Sequence, residues 1–252
     1  MTAPTHPSGL YHYAPGIYPY SGGARASDGR EIEHVTVMGE PGWRDGFAAI
    51  DRYLAEREVP RTALCGVELR CPRPHSFDGF IAFNEEYRRL LEEWGLLDGE
   101  ENPVARTNVA PVDGAPTQTT LAGFCVSVPC ERTEATFVVA GAGDLVDQSD
   151  LRPEAIVGAA DPAGPAWATR VHQVLDEMEA RMSTLGVTWA QVTDVDVYCA
   201  SSGWTEALGE LTARLGDTTS RGLHWFVAHP PISGLTFEMD LRGVRTERRL
   251  DV

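Results

Sequence analysis

Apolar residues recur along this chain at two periods, and the order in which the periods follow one another is itself repeated. Phe47, Ile50 and Leu54 have the three-to-four-residue spacing of a helix face within residues 44–58, and Pro60 marks the exit. Residues 63–69 read as a strand. Phe80, Phe83, Tyr87, Leu90, Leu91 and Trp94 then form the stripe of a second helix over 77–94, closed by Gly95. A strand over 32–38 precedes this unit, and strands over 105–110 and 119–128, joined by Asp113-Gly114, follow it. The succession then returns. It runs through a strand at 136–140, a helix at 166–185 capped by Gly186, and a strand at 192–199. A helix marked by Trp204, Leu208, Leu211 and Leu215 comes next, and strands at 223–228 and 235–242 close the pattern. Residues 1–30, rich in Pro, Gly, Tyr and Ser, read as an extended, turn-rich lead-in.

The repeat extends to individual positions. Val59, Leu64, Val67, Glu68 and Leu69 recur at one constant offset as Val187, Val192, Val195, Asp196 and Val197, and Phe47, Ile50 and Leu54 recur as Leu175, Met178 and Met182. Two copies of one helix–strand unit predict two tandem domains, residues 1–130 and 131–252. Each is expected to be α+β, a mixed sheet with two helices on one face.

A formal net charge of -16 with no Lys/Arg run argues against nucleic acid and anionic membranes as partners. No apolar run of about 18 residues predicts a membrane span. The first residues, Met1-Thr2-Ala3-Pro4, lack the basic-then-apolar pattern of a secretory signal. The five cysteines have no zinc-like spacing and read as buried, reduced thiols, so a cytoplasmic location is expected. His224 and His229 lack a metal-spaced partner and read as structural or cleft-lining. The chain has no P-loop, G-x-S-x-G elbow, H-E-x-x-H or strand-bound G-x-G-x-x-G, and Gly141-Ala142-Gly143 lacks the rest of a dinucleotide fingerprint. Neither a cofactor nor a metal is expected.

Several short motifs, in shared order, resemble the RidA/YjgF family of enamine and imine deaminases. Pro19-Tyr20-Ser21 resembles the family's early P-Y-S, Phe83-Asn84-Glu85-Glu86-Tyr87 its helical N-x-x-Y, and Ala105-Arg106-Thr107-Asn108-Val109 its P-x-R-[ST]-x-V strand. In the second half Val138-Val139-Ala140-Gly141 is similar to the V-S-G strand, and Leu235-Thr236-Phe237-Glu238-Met239-Asp240 to the closing V-E-I-E strand. The resemblance, closest to members of the 2-aminomuconate deaminase type, implies chorismate-mutase-like subunits assembled into trimeric barrels, hence a homo-oligomer. It also implies a small anionic substrate. The first copy has no acid in Thr119-Thr120-Leu121-Ala122, where the family carries its glutamate. The second has Gly222-Leu223 where the arginine is expected, with Arg221 just upstream. Either the two halves pool residues into one composite site or the clefts have changed purpose.

Arg106 is the foremost candidate, because a guanidinium offers a planar fork of donors to a carboxylate and stays charged in a dry cleft. The resemblance makes it the substrate's carboxylate clamp; the plain alternative is a structural ion pair. In the last strand Leu235, Phe237, Met239 and Leu241 share one face, and Thr236, Glu238, Asp240 and Arg242 the other. The resemblance makes Glu238 the catalytic acid that positions water; alone, the alternation also describes a solvated polar face. Tyr20, Asn84 and Thr107 are secondary substrate-binding candidates. Their plainer roles are anchoring a Pro/Gly-rich segment, bonding helix backbone, and strand propensity. The expected function is cofactor-independent hydrolysis of a carboxylate-bearing enamine or imine, aminomuconate-like or 2-aminoacrylate-like, to a carbonyl and ammonia. The alternatives are a chorismatase-like hydrolase acting on another small carboxylate and a non-catalytic binder of small acids.

Overall fold

The computed structural model describes residues 3–161, 167–200 and 204–252. A hairpin of β1 (Tyr11–Ala14) and β2 (Gly23–Ala26) opens the chain. The first half continues through β3 (Arg30–Met38), α1 (Trp43–Glu56), β4 (Leu64–Arg70), α2 (Phe77–Glu93), β5 (Ala105–Pro111) and β6 (Thr120–Pro129). The second half runs through β7 (Phe137–Gly143), α3 (Trp167–Leu185), β8 (Asp194–Tyr198), α4 (Trp204–Leu215) and β9 (Leu223–Phe226). It ends with β10 (Ala228–His229), β11 (Glu238–Gly243) and β12 (Thr246–Asp251). Ala166, where the pattern would start α3, lies outside the described residues.

The strands form two six-stranded sheets, β10-β5-β4-β6-β3-β12 and β1-β2-β7-β11-β8-β9. Each contains the same four-strand order, β5-β4-β6-β3 in one and β9-β8-β11-β7 in the other, with one parallel pair followed by antiparallel ones. The helix-spaced residues fill the outer face of each sheet. Phe47, Ile50, Leu54, Tyr87 and Leu91 pack on Val35, Leu64, Val67, Leu69 and Phe124. Val171, Val174, Leu175, Met178, Met182 and Leu211 pack on Phe137, Val139, Val195, Val197, Phe237, Met239 and Leu241. The Ser76 hydroxyl caps α2 by accepting from the Gly79 N–H at 3.1 Å, and Gly95, at φ +69°, ends it in a conformation that favours glycine.

Edge strands cross between the halves. The β1–β2 hairpin pairs with β7. β12 lies parallel to β3, and β10 pairs with β5. The lead-in is therefore a hairpin with Tyr11 and Tyr13 buried, not simply a turn-rich approach. The strand expected over 223–228 divides at Val227, β9 joining one sheet and β10 the other. β12 carried no apolar signal, since Thr246-Glu247-Arg248-Arg249-Leu250-Asp251 is almost wholly polar. It is held by backbone pairing and by Arg248, whose Nε and Nη2 donate to the Glu33 carboxylate at 2.7 and 2.9 Å. Charge of this kind suits an edge strand that must not recruit another.

The inner faces of the sheets meet across a seam that is apolar at one end, with Tyr11, Tyr13, Ile32, Cys65 and Cys125, and charged toward the middle. The polar face of β11 is thus buried and not solvated. Asp240 accepts from the Tyr198 hydroxyl at 3.0 Å, and Arg242 donates to Asp196 at 2.8 Å and to Glu247 at 2.9 Å. His224 pairs with Asp196 at 2.9 Å. Buried charges tolerate such a place only when partnered.

His34 lies in this seam between Glu68, at 2.9 Å, and Glu247. Burial works against its charge. The Glu68 carboxylate and hydrogen bonds to Glu247 and Glu68 outweigh that and hold its pKa at about 9. The folded value lies above the unfolded value of about 6.5, so this contribution is fully present below pH ~6.5 and is lost as pH rises through about 9. Urea unfolding at a series of pH values is expected to show falling stability across that window, with a flatter profile for His34→Gln.

Candidate active site

Arg106 and Glu238, from opposite halves of the chain, line one cavity. It forms where β5 of one sheet meets β7 and β11 of the other. Tyr20 and Phe80, Gly141, Gly143 and Leu145, and the segment through Pro231, Ile232 and Leu235 wall it.

The Arg106 guanidinium is enclosed by rings, its carbon 4.7 Å from the Tyr87 centroid, 4.8 Å from Tyr20, 5.5 Å from Phe80 and 5.6 Å from Phe83. A desolvated cation over aromatic faces gains about 2 kcal/mol or more from such contacts. Nη2 donates to Asn84 Oδ1 at 2.8 Å, while Nη1 has no partner among the described residues. No ion pair involves Arg106 among the described residues, so the structural ion pair is not its role. Burial lowers its pKa, opposed chiefly by Tyr87 and Tyr20, and a guanidinium remains charged at neutral pH regardless. The stripe read on α2 therefore has a second use: Phe80, Phe83 and Tyr87 pack the helix and also cage the cation.

Glu238 is 3% exposed. Burial raises its pKa well above the usual carboxylate range, with Asp240 adding to the rise and Arg181 and Arg106 opposing it. The protonated form is therefore favoured, as for any carboxyl group in a dry site with a neighbouring acid. The room for it comes from glycine: a Cβ on Gly141 would stand 2.3 Å from Glu238 Oε1 and 3.1 Å from Thr107 Cγ2.

Tyr20, half-buried with its hydroxyl pKa raised by desolvation, lines the cavity; Asn84 holds Arg106. Thr107 does not line it. Its hydroxyl bonds Asp240 behind the cavity, beside Glu68, Asp240 and Arg242 in the seam. Arg221, upstream of the position expected for a second arginine, donates to the Ala190 carbonyl at 2.8 Å, away from the cavity.

Four further residues shape the site. Asn108 lines the cavity at 3% exposure, and neither amide atom has a hydrogen-bond partner among the described residues. Its signal was available, since Asn is disfavoured in a buried strand. Gln148 borders the cavity and donates to the Gly143 carbonyl at 2.9 Å. Asp144, fully buried, accepts from the Thr236 N–H and hydroxyl, both at 3.0 Å, and pairs with Arg170, fixing the entry into β11. Arg181 donates to the Ala140 and Gly141 carbonyls at 2.9 and 3.2 Å and to Glu177 at 2.7 Å, fixing the strand beneath Glu238. These clamps join residues distant in sequence, so no local pattern marks them. No group of three His, Cys, Asp or Glu among the described residues is arranged to hold a metal ion.

A crystal structure of chorismatase matches 91% of this chain and 79% of its own at 13% identity and a TM-score of 0.51, a likeness of fold. The YjgF gene product of E. coli aligns with 44% of this chain and 80% of its own at 15% identity and a TM-score of 0.31. The 2-amino-5-chloromuconate deaminase of Comamonas testosteroni is 36% identical over 241 residues, covering 95% of each chain. The model of the family described as 2-aminomuconate deaminase CnbZ matches residues 3–248. The chain belongs to the 2-aminomuconate deaminase CnbZ family.

Proposed function

We propose that this protein hydrolyses a 2-aminomuconate-type enamine, an unsaturated 2-amino acid, to the 2-oxo acid and ammonia without a cofactor. The observation that carries the reading is the shared cavity of Arg106, with one nitrogen unpartnered among the described residues, and Glu238, whose protonated form is favoured by burial. Family membership and the activity for which the Comamonas relative is named support the substrate class.

In this reading Arg106 Nη1 donates to a substrate carboxylate. The Glu238 acid protonates the nucleophilic carbon of the enamine, which converts C–N to an electrophilic C=N iminium. The Glu238 carboxylate so formed takes a proton from water as the water oxygen bonds to the iminium carbon. That proton then passes to nitrogen, the C–N bond breaks as ammonia leaves, and the hydroxyl proton returns to Glu238 as the C=O forms. One water is consumed, one ammonia is released, and no electrons are exchanged with an outside partner. Orienting the substrate against one acid–base group is enough for an electrophile of this kind.

Ammonia release from 2-aminomuconate tests the reading. Glu238→Gln is expected to lower kcat by about 10²–10⁴-fold with little change in KM. Arg106→Ala is expected to lower kcat/KM by about 10–150-fold, mainly through KM, since a hydrogen bond to a charged group contributes about 1.5–3 kcal/mol. Near-wild-type kinetics in both variants would remove the mechanism.

Because the first step needs protonated Glu238, kcat is expected to fall as pH rises through its raised pKa, and that limb should vanish in Glu238→Gln. Gly141→Ala drives a methyl against Glu238 Oε1 and is expected to lower kcat while the far-ultraviolet circular dichroism stays that of the parent.

A further inference from the structure

We infer that Asn108 is the specificity-determining contact of the cavity, and that it recognises the 2-amino-carboxylate head of the substrate by pairing with its N–H and its carboxylate together. This deepens the deaminase reading and rests on it for the substrate class.

A carboxamide buried to 3% exposure with both Nδ2 and Oδ1 unpartnered among the described residues carries the desolvation cost of both groups with nothing to offset it. Leucine would fill a similar volume without that cost. Asn108 lines the cavity, so a bound molecule can satisfy it there. It lies two residues beyond Arg106 on β5, about 7 Å along the same side of the strand.

The chemistry of the ligand follows from that pair of groups. Oδ1 only accepts and Nδ2 only donates, so the complement is a donor and an acceptor side by side. A carbon bearing both an amino group and a carboxylate presents that pair in one plane: the N–H donates to Oδ1, and a carboxylate oxygen accepts from Nδ2. The other carboxylate oxygen is left for Arg106 Nη1, the second unpartnered donor of the cavity. The three orphaned atoms are thus matched by one head group.

The same geometry distinguishes substrate from product. Hydrolysis replaces the amino group by a carbonyl oxygen, which only accepts and so faces Oδ1 as a mismatch. Rotating the amide would move the mismatch to the carboxylate. Asn108 therefore holds the amino acid more tightly than the oxo acid and favours product release.

Two stable planar probes test this without relying on turnover. Pyrrole-2-carboxylate carries a ring N–H beside its carboxylate, whereas furan-2-carboxylate carries an oxygen in that place. Calorimetric titration of the wild-type chain is expected to show pyrrole-2-carboxylate binding at least about tenfold more tightly, because a site built to receive a donor rejects the analogue lacking it. In Asn108→Leu the preference should collapse to about onefold while the midpoint of thermal unfolding stays equal or rises, the reverse of what loss of a structural hydrogen bond gives. Asn108→Ala supplies the same comparison should leucine prove too large.

Equal wild-type affinities, binding of neither probe, or a preference that survives in both variants overturns the inference. Turnover of 2-aminomuconate without probe discrimination overturns the role of Asn108 and leaves the deaminase reading standing. Discrimination without turnover does the opposite.

Discussion

An arginine side chain taken out of water must be held by something, and in this protein it is held incompletely. Four aromatic rings and one amide oxygen offset part of the desolvation of Arg106, yet one guanidinium nitrogen is left without a partner among the described residues. A structural cation would have been paired with one of the many acids of so acidic a chain. The arrangement instead leaves a directed positive charge in a dry place, which is the condition for binding a small carboxylate strongly and in one orientation. Glu238 answers it with the opposite device, a carboxyl group whose protonated form is favoured by burial and by its neighbour Asp240. Each group is poised by the absence of the partner it would have in water.

That arrangement depends on how the sheets are interlaced. One sheet alone supplies the cation and the other the acid, so neither makes a site by itself. The N-terminal hairpin, β10 and β12 each pair with the sheet of the other half, and Tyr20 follows β1 directly into the wall of the cavity. Beneath, polar contacts join the two inner faces across the seam: Arg242 on β11 donates to Glu247 on β12 at 2.9 Å, and the Thr107 hydroxyl on β5 bonds Asp240 on β11. A seam of this sort gains little stability over an apolar one.

The sequence disclosed the parts whose signal is local. Helix stripes such as Phe47, Ile50 and Leu54 and the alternation of β11 gave the elements, and short motifs picked out Arg106, Glu238 and Tyr20. That the polar side of β11 is buried could not be read from alternation, because a second sheet and solvent leave the same imprint on a strand. β12 was missed because an edge strand held by ion pairs has no apolar period. Thr107 has a motif position but faces the seam, a distinction that a single residue step along a strand decides. Asn108 stood inside a recognised motif and still passed unmarked: its residue type, disfavoured in a buried strand, was a signal, while its lack of a partner among the described residues is visible only in the structure. Asp144 and Arg181 act on backbone groups far along the chain, beyond any local pattern.

In the proposed reaction one bound molecule meets both halves of the chain at once. A crystal structure of the Glu238→Gln variant soaked with 2-aminomuconate tests that most directly. The account predicts a substrate carboxylate on the Arg106 guanidinium and the carbon to be protonated within about 3–3.5 Å of the residue 238 amide, in the same cavity. Substrate density that leaves Arg106 untouched, or that lies in a different cleft from residue 238, would contradict it.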